Sequence, residues 1–284
     1  MNFWNRETEI SFFLSALENF ASPEQLFYKL ASGYFAYIPK GESAEGQTLQ
    51  SRNALIGQFT EKWCKDFFSP IAQKLGLHAI NGVICSEIGL AKDSKADLAF
   101  CTTDELEQKP DNIKLLFEIK MSIVNNYKLE DNKVSFVGDY KSHKGTPSIL
   151  RSDSVLKAIG KAINIRVSQN TTRGIPIIVV GNAPLGKSYS KKVDYLKKAG
   201  IIQGFISLYP EPLDSCLKQT NQKGFQTFDN YKSISQFIVD LVRNDFNFFS
   251  AMIPKRKLGQ IITLASKEKS DLAKAEKFLT LMNQ

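Results

Sequence analysis

Two short apolar stretches carry the residues best suited to chemistry: Asp97 in KADLAF, and Glu118 with Lys120 in LLFEIKMS. Both stretches read as β-strands. Side chains alternate across a strand, so Glu118 and Lys120 project from one face while Phe117 and Ile119 project from the other. A glutamate and a lysine on one side of a largely buried strand need partners or a water-filled cleft, because burying unpaired charge is costly. If adjacent strands bring Asp97 beside Glu118, the two carboxylates repel each other and a divalent cation relieves the repulsion; hard oxygen ligands favour magnesium. Such an ion polarises a phosphate oxygen and lowers the pKa of a bound water, while Lys120 can orient or deprotonate the attacking water. The expected chemistry is phosphodiester hydrolysis. A plain surface ion pair has the same residues, since Asp…Glu-x-Lys spacings also arise by chance, and the strand setting is what favours a site.

The elements that must position these residues follow from periodicity. Between Ser51 and Leu75, apolar residues recur at helical spacing (Leu55, Phe59, Trp63, Phe67, Ile71, Leu75), which predicts a long helix closed by Gly76. Residues 79–90, 97–103 and 113–123 predict three strands in a meander. Residues 153–167 return to helical period, and GIPIIVVG at 174–181 reads as a fully buried strand. A helix near 189–199, a strand at 201–209, a helix near 231–243 and a charged helical tail from Pro254 complete the series. The fold class expected is α/β, a mixed sheet flanked by helices. Residues 51–210 would form the core, with helical additions at 1–50 and 211–284, all in one domain.

Composition narrows the function classes. The 284 residues carry 37 Lys and Arg against 29 Asp and Glu, a net charge of +8 that favours encounter with a polyanion. The longest apolar run, near Ile175–Val180, is far short of the roughly 20 residues that span a membrane. The opening MNFWNRETEI is polar where a secretory signal would be apolar, so a cytoplasmic protein is expected. Cys64, Cys85, Cys101 and Cys216 show no zinc-ligand spacing and read as reduced thiols, mostly in the core. With only His78 and His143, a multi-histidine metal site has little material to work with.

Ala96-Asp97, a spacer, then Glu118-Ile119-Lys120 resembles the Pro-Asp…(Asp/Glu)-x-Lys signature of the nuclease superfamily that includes most type II restriction endonucleases. The flanking order of helix, three strands, helix and strand is similar to that family's core over roughly residues 52–181, with alanine at position 96 where the signature has proline. The resemblance implies that Asp97 and Glu118 carry magnesium with help from the Ile119 carbonyl, and that Lys120 serves the water. Glu61, on the long helix, stands where related nucleases sometimes supply another acidic ligand, or else is a solvated helix residue; Glu87, on the first strand, faces the cleft or the surface.

For holding DNA, the polar stretch from Tyr127 to Asp153 reads as a long irregular insert with Lys141 and Lys144 available to phosphates. Arg151-Ser152-Asp153 opens a helix, where serine and aspartate can cap backbone N–H groups and arginine can reach base edges. Simple capping with an exposed arginine is the equal alternative. The triplet is similar to the Arg-Ser/Pro-Asp element of restriction enzymes that read a CCGG core, with Ser154 where those continue with a second arginine. No GxxxxGK[ST] motif occurs. The expected function is therefore a sequence-specific type II restriction endonuclease acting on double-stranded DNA, with a homodimer for symmetric cutting. The alternatives are a structure-specific repair or recombination nuclease, and a non-catalytic DNA-binding protein.

Overall fold

The computed structural model describes residues 2–44, 49–169, 172, 174–211, 217–244 and 255–282. The chain divides into two compact units, 1–244 and 245–284. The first opens with α1 (Arg6–Asn19), capped by the Asn5 side chain accepting from the Thr8 N–H, and the single-turn α2 (Pro23–Leu26) with proline at its start. Strands β1 (Tyr28–Leu30) and β2 (Gly33–Phe35) follow as an antiparallel hairpin. The first fifty residues are therefore not purely helical. Gly33 sits at φ 122°, a turn conformation that glycine tolerates and other residues resist, so the aromatic run folds back on itself.

Helix α3 (Gln50–Lys74) is the long helix expected, and Gly76 at φ 71° follows its end. Its deepest stripe is Arg52, Ile56, Thr60, Cys64, Phe67, Phe68 and Ile71, offset from the Leu55, Phe59, Trp63 line. Two neighbours explain the two lines. Phe59 and Trp63 meet Trp4 edge-on at 6.0 and 5.3 Å, while Phe68 packs on the sheet with its ring 4.8 Å from that of Phe117.

Strands β3 (His78–Val83), β4 (Ala96–Cys101) and β5 (Ile113–Ile119) form the expected antiparallel meander. The next segment departs from expectation: β6 (Asn126–Glu130) and β7 (Lys133–Gly138) make a hairpin inside the supposed irregular insert. Its two-residue turn, Asp131 and Asn132, has φ 47° and 60°, the double positive φ that suits tight hairpins. Then come α4 (Ser152–Ser168), β8 (Ile177–Gly181), α5 (Ser190–Lys198), β9 (Gly204–Ser207), β10 (Phe225–Thr227) and α6 (Tyr231–Arg243). The region after residue 210 thus contributes a strand as well as helices. The second unit contains α7 (Lys255–Ala265) and α8 (Asp271–Met282), the helical tail expected after Pro254.

The fold is α/β with a mixed six-stranded sheet, ordered β10-β9-β8-β5-β4-β3. β5 is its pivot, antiparallel to β4 and parallel to β8. One face of the sheet (Ala99, Leu116, Val179) packs with Val155, Ala158, Ala162 and Ile165 of α4. The other face, through Phe117, meets α3. All five residues of β8 are buried, as expected for a strand covered on both sides. A second, four-stranded antiparallel sheet has the order β1-β2-β6-β7. Buried Glu9 of α1 ties it down. Its carboxylate accepts from Trp4 Nε1 (2.9 Å), Val124 N (2.6 Å), both nitrogens of Asn125 (3.2 and 3.0 Å) and the Tyr127 hydroxyl (2.7 Å).

Cys64, Cys85 and Cys101 are buried and unpaired, and Cys216 lies outside the described residues. Burial pushes the Cys101 thiol up to about 12, as befits a core residue without thiolate chemistry. Among the described residues, no helix is long and apolar enough to cross a membrane.

Candidate active site

The register of the meander creates the site. Leu98 pairs with Phe117 across the β4–β5 ladder, and antiparallel pairing carried one step further sets Asp97 opposite Glu118. Side-chain alternation then puts Asp97, Glu118 and Lys120 on the α4 side of the sheet. Asp97 Oδ2 accepts the Ile119 backbone N–H at 2.7 Å, which fixes the aspartate against the end of β5. Lys120 Nζ lies 2.5 Å from Glu118 Oε1 and 3.5 Å from Asp97 Oδ2, and it donates to the Ile119 carbonyl at 3.1 Å. The three residues singled out from sequence therefore meet, together with the Ile119 carbonyl.

A fourth charge joins them. Lys161 of α4 reaches Glu118 Oε2 at 2.7 Å and Asp97 Oδ1 at 3.1 Å, and also donates to the Lys95 carbonyl at 2.7 Å. It lies one helical turn beyond Lys157, and helical spacing alone does not show what that face of α4 meets. Each of the four carboxylate oxygens thus has a lysine partner. Burial raises the pKa of Glu118 and the charge of Asp97 raises it further, while the two lysines pull it back. For Lys161, burial opposes the charged form, but the two carboxylates outweigh it and its pKa is raised.

Glu61 is half-buried, and its pKa is raised by burial first and then by the charge of Asp97, so the α3 acid belongs to the electrostatic surroundings of the pair. Asn81 holds α3 against β4: its Nδ2 donates to the backbone carbonyls of Glu61 (3.0 Å) and Asp97 (2.8 Å). Glu87 is not on a strand. β3 ends at Val83, and Glu87 is exposed in the 3-10 turn Ser86–Ile88.

Among the described residues, no group of three or more His, Cys, Asp or Glu side chains is placed to hold an ion by itself. The donors available to a cation are the oxygens of Asp97 and Glu118 and the Ile119 carbonyl. That set is hard and incomplete. It suits magnesium, which usually takes one or two carboxylates and fills its remaining positions with water and substrate phosphate.

The backbone under Lys120 is also held. Lys120 N donates to Val180 O at 2.7 Å, and the hydroxyl of buried Ser148 donates to the Lys120 carbonyl. Ser148 N in turn donates to Ser122 Oγ at 2.8 Å, and Asn182 closes the network by bonding both backbone groups of Ser122.

Beside Lys120 a cleft of about 480 Å³ opens, and its walls include Lys144 and Arg151 along with Arg52, Tyr28 and Tyr37. Lys141 is not among its lining residues. The side-chain cap expected at α4 is absent: Arg151 is the N-cap residue, and no side chain there bonds the free N–H groups. Asp153 sits two residues past the N-cap position, too far in to cap. It complements the helix dipole and pairs with Arg151 and Lys157, each at 3.1 Å, while Ser152 is exposed. Arg52 went unnoticed in the sequence, although it occupies the first position of the stripe that continues through Ile56, Thr60 and Cys64, a charged residue in register with core positions. Comparison of the chain with protein-family models, curated proteins and solved structures finds no match, so a functional reading has to come from the residues of this site.

Proposed function

We propose that the protein is a magnesium-dependent nuclease that hydrolyses phosphodiester bonds of double-stranded DNA, with Asp97, Glu118 and Lys120 as its catalytic residues. The observation that supports this most is the meeting of two opposed carboxylates, a backbone carbonyl and a lysine ammonium at the end of β5, beside an open basic cleft. The helix–meander–helix–strand order around them agrees with the restriction endonuclease-like resemblance of the sequence. A bound magnesium ion would supply Lewis-acid polarisation of the phosphate and a more acidic water. Asp97 and Glu118 would hold it. Lys120, released from Glu118, orients the attacking water and offsets the charge that develops on the phosphate oxygens. Lys144 and Arg151 grip the backbone from the cleft wall. Sequence-specific cutting of a palindrome, the type II restriction mode, needs a second copy related by a twofold axis.

The experiment is plasmid cleavage with magnesium by the wild type and by Asp97→Asn and Lys120→Ala, alongside DNA binding by all three. Loss of cutting with binding retained supports the enzyme, and fragment ends on DNA of known sequence separate a site-specific enzyme from a repair nuclease that prefers branched or damaged DNA. A second reading draws on the complete lysine pairing of the carboxylates: the cluster is a structural ion-pair network in a DNA-binding protein without catalysis. A folded wild type that binds DNA but leaves every DNA intact favours that reading.

A further inference from the structure

Arg52 is only 4% exposed, yet among the described residues no carboxylate is within ion-pair distance of it. Its Nη1 donates to the Ala36 carbonyl, and its Nε has no hydrogen-bond partner. The guanidinium lies near two aromatic rings, 4.9 Å from the centroid of Tyr37 and 5.3 Å from that of Tyr28. A buried charge that lacks a counter-ion in the chain is costly, and it calls for an anion from outside.

The surroundings point to the same need. Arg52 lines the cleft of about 480 Å³, whose other charged residues are Lys120, Lys144 and Arg151; neither Asp nor Glu is among the residues that line it. Lys120 belongs both to this cleft and to the carboxylate cluster, so it links the two. A planar guanidinium with free N–H groups matches the oxygens of a phosphate.

We propose that this cleft is a phosphate-binding pocket anchored by Arg52, which holds a DNA phosphate adjacent to the one undergoing hydrolysis. The inference rests on the nuclease reading for its substrate, while the pocket itself is read from Arg52 and its neighbours. Two sources share the chemistry, an internal backbone phosphate and a terminal 5′-phosphate. Gly57 offers a probe on the opposite principle. It lines the cleft, and a Cβ added there would meet nothing within 4 Å, so a glutamate at this position brings a carboxylate to the pocket without disturbing the core. Glutamate also suits a helix interior better than glycine.

The test is DNA binding by fluorescence anisotropy in EDTA across a salt series, for wild type, Arg52→Gln and Gly57→Glu, with thermal melts as the folding control. Three duplexes of one sequence are used: closed by hairpins at both ends, open with 5′-phosphate, and open with 5′-hydroxyl. Arg52→Gln is expected to weaken binding and to lower the log–log salt slope by about 0.9, the loss of one phosphate contact. Gly57→Glu is expected to weaken binding without lowering the melting temperature. A loss on the closed duplex assigns an internal phosphate, and a loss confined to the 5′-phosphorylated duplex assigns a terminal one. If Arg52→Gln does not fold, Gly57→Glu decides, and wild-type affinity and slope in the folded variants overturn the pocket. Because no metal is present, cutting and binding are read separately: a wild type that never cuts but depends on Arg52 removes the nuclease reading alone, one that cuts with Arg52 irrelevant removes the pocket alone, and one that binds no duplex overturns both.

Discussion

Lys161 Nζ stands 2.7 Å from Glu118 Oε2, closer than its 3.1 Å to Asp97 Oδ1, so a helix contributes a counter-ion to a carboxylate on the sheet. On the nuclease reading proposed above, the lysine takes the place that a bound cation would occupy between the same two carboxylates. Lys161→Met should therefore lower stability in EDTA by about 1–3 kcal/mol, less than the usual cost of breaking a buried pair because Lys120 remains. Magnesium should restore most of that loss by binding the pair it exposes. Thermal melts in EDTA and in magnesium check this, and an equal loss in both conditions counts against a cation at this position.

Glu118 supplies the pH dependence. Burial, reinforced by Asp97, holds its pKa above the ordinary 4.5, so acidification protonates it earlier than a solvated glutamate. Cation binding needs the carboxylate, so at low magnesium cleavage should fall as the pH drops through a value above 4.5. For stability the sign is opposite. A raised pKa in the folded state contributes stability that is fully present below 4.5 and is lost as the pH rises through the folded value. At low magnesium, rate–pH profiles should show an acid limb above the usual glutamate range, and more magnesium should move that limb to lower pH because the ion competes with the proton; a limb that magnesium does not move would mean that Glu118 is not the titrating ligand.

Much of this site is local in sequence, and that part was legible. Alternation in LLFEIKMS put Glu118 and Lys120 on one face, and two short strands joined by a loop left antiparallel pairing with Asp97 as the simple outcome. The bounds of α6, Tyr231–Arg243, also follow from periodicity alone. Lys161 was not legible as a partner, because it lies 64 positions from Asp97 and only the packing of α4 on the sheet brings it there. The β6–β7 hairpin was obscured by its lysines. Tyr127, Leu129 and Val134 alternate as a half-buried ribbon, and Asp131-Asn132 is a usable hairpin turn, but polar composition masked both. The α3 stripe was misjudged because the helix contacts two partners, and an aromatic line facing the N-terminal segment outweighed the smaller residues facing the sheet.

Ser148 is the next test, since it holds the Lys120 carbonyl from a backbone at φ 50°, a left-handed conformation that serine adopts reluctantly. Ser148→Ala keeps that conformation and leaves the Lys120 carbonyl and the Asn182 N–H without the hydroxyl, which should cost about 1–3 kcal/mol. Ser148→Gly loses the same bonds but relaxes the backbone, so it should be the less damaging of the two. Denaturant midpoints rank the variants. Equal damage would show that the conformation carries no cost. If the network positions Lys120, both variants should also cut more slowly at a temperature where they remain folded.

His143 connects acidity to the cleft wall. Its ring stacks on Tyr37 at 4.1 Å and 7°, its Nε2 donates to the Val124 carbonyl at 3.0 Å, and its buried Nδ1 has no partner. Burial lowers its pKa below 6.5; the Val124 carbonyl and Asp139 oppose the shift, and Arg52 and Lys40 add to it. Protonation would place a second charged N–H where nothing accepts it. Because the folded-state pKa is depressed, the stabilisation is present above 6.5 and is lost as the pH falls through the folded value. His143→Phe keeps the stack and removes the titration, at a cost of about 1 kcal/mol at alkaline pH for the lost hydrogen bond. The gap between wild type and variant should therefore narrow as the pH is lowered below 6.5, and denaturation midpoints measured across that range will show it. A gap that stays constant would mean that His143 has the same proton affinity folded and unfolded, and that the Tyr37 wall beside Arg52 is indifferent to acid.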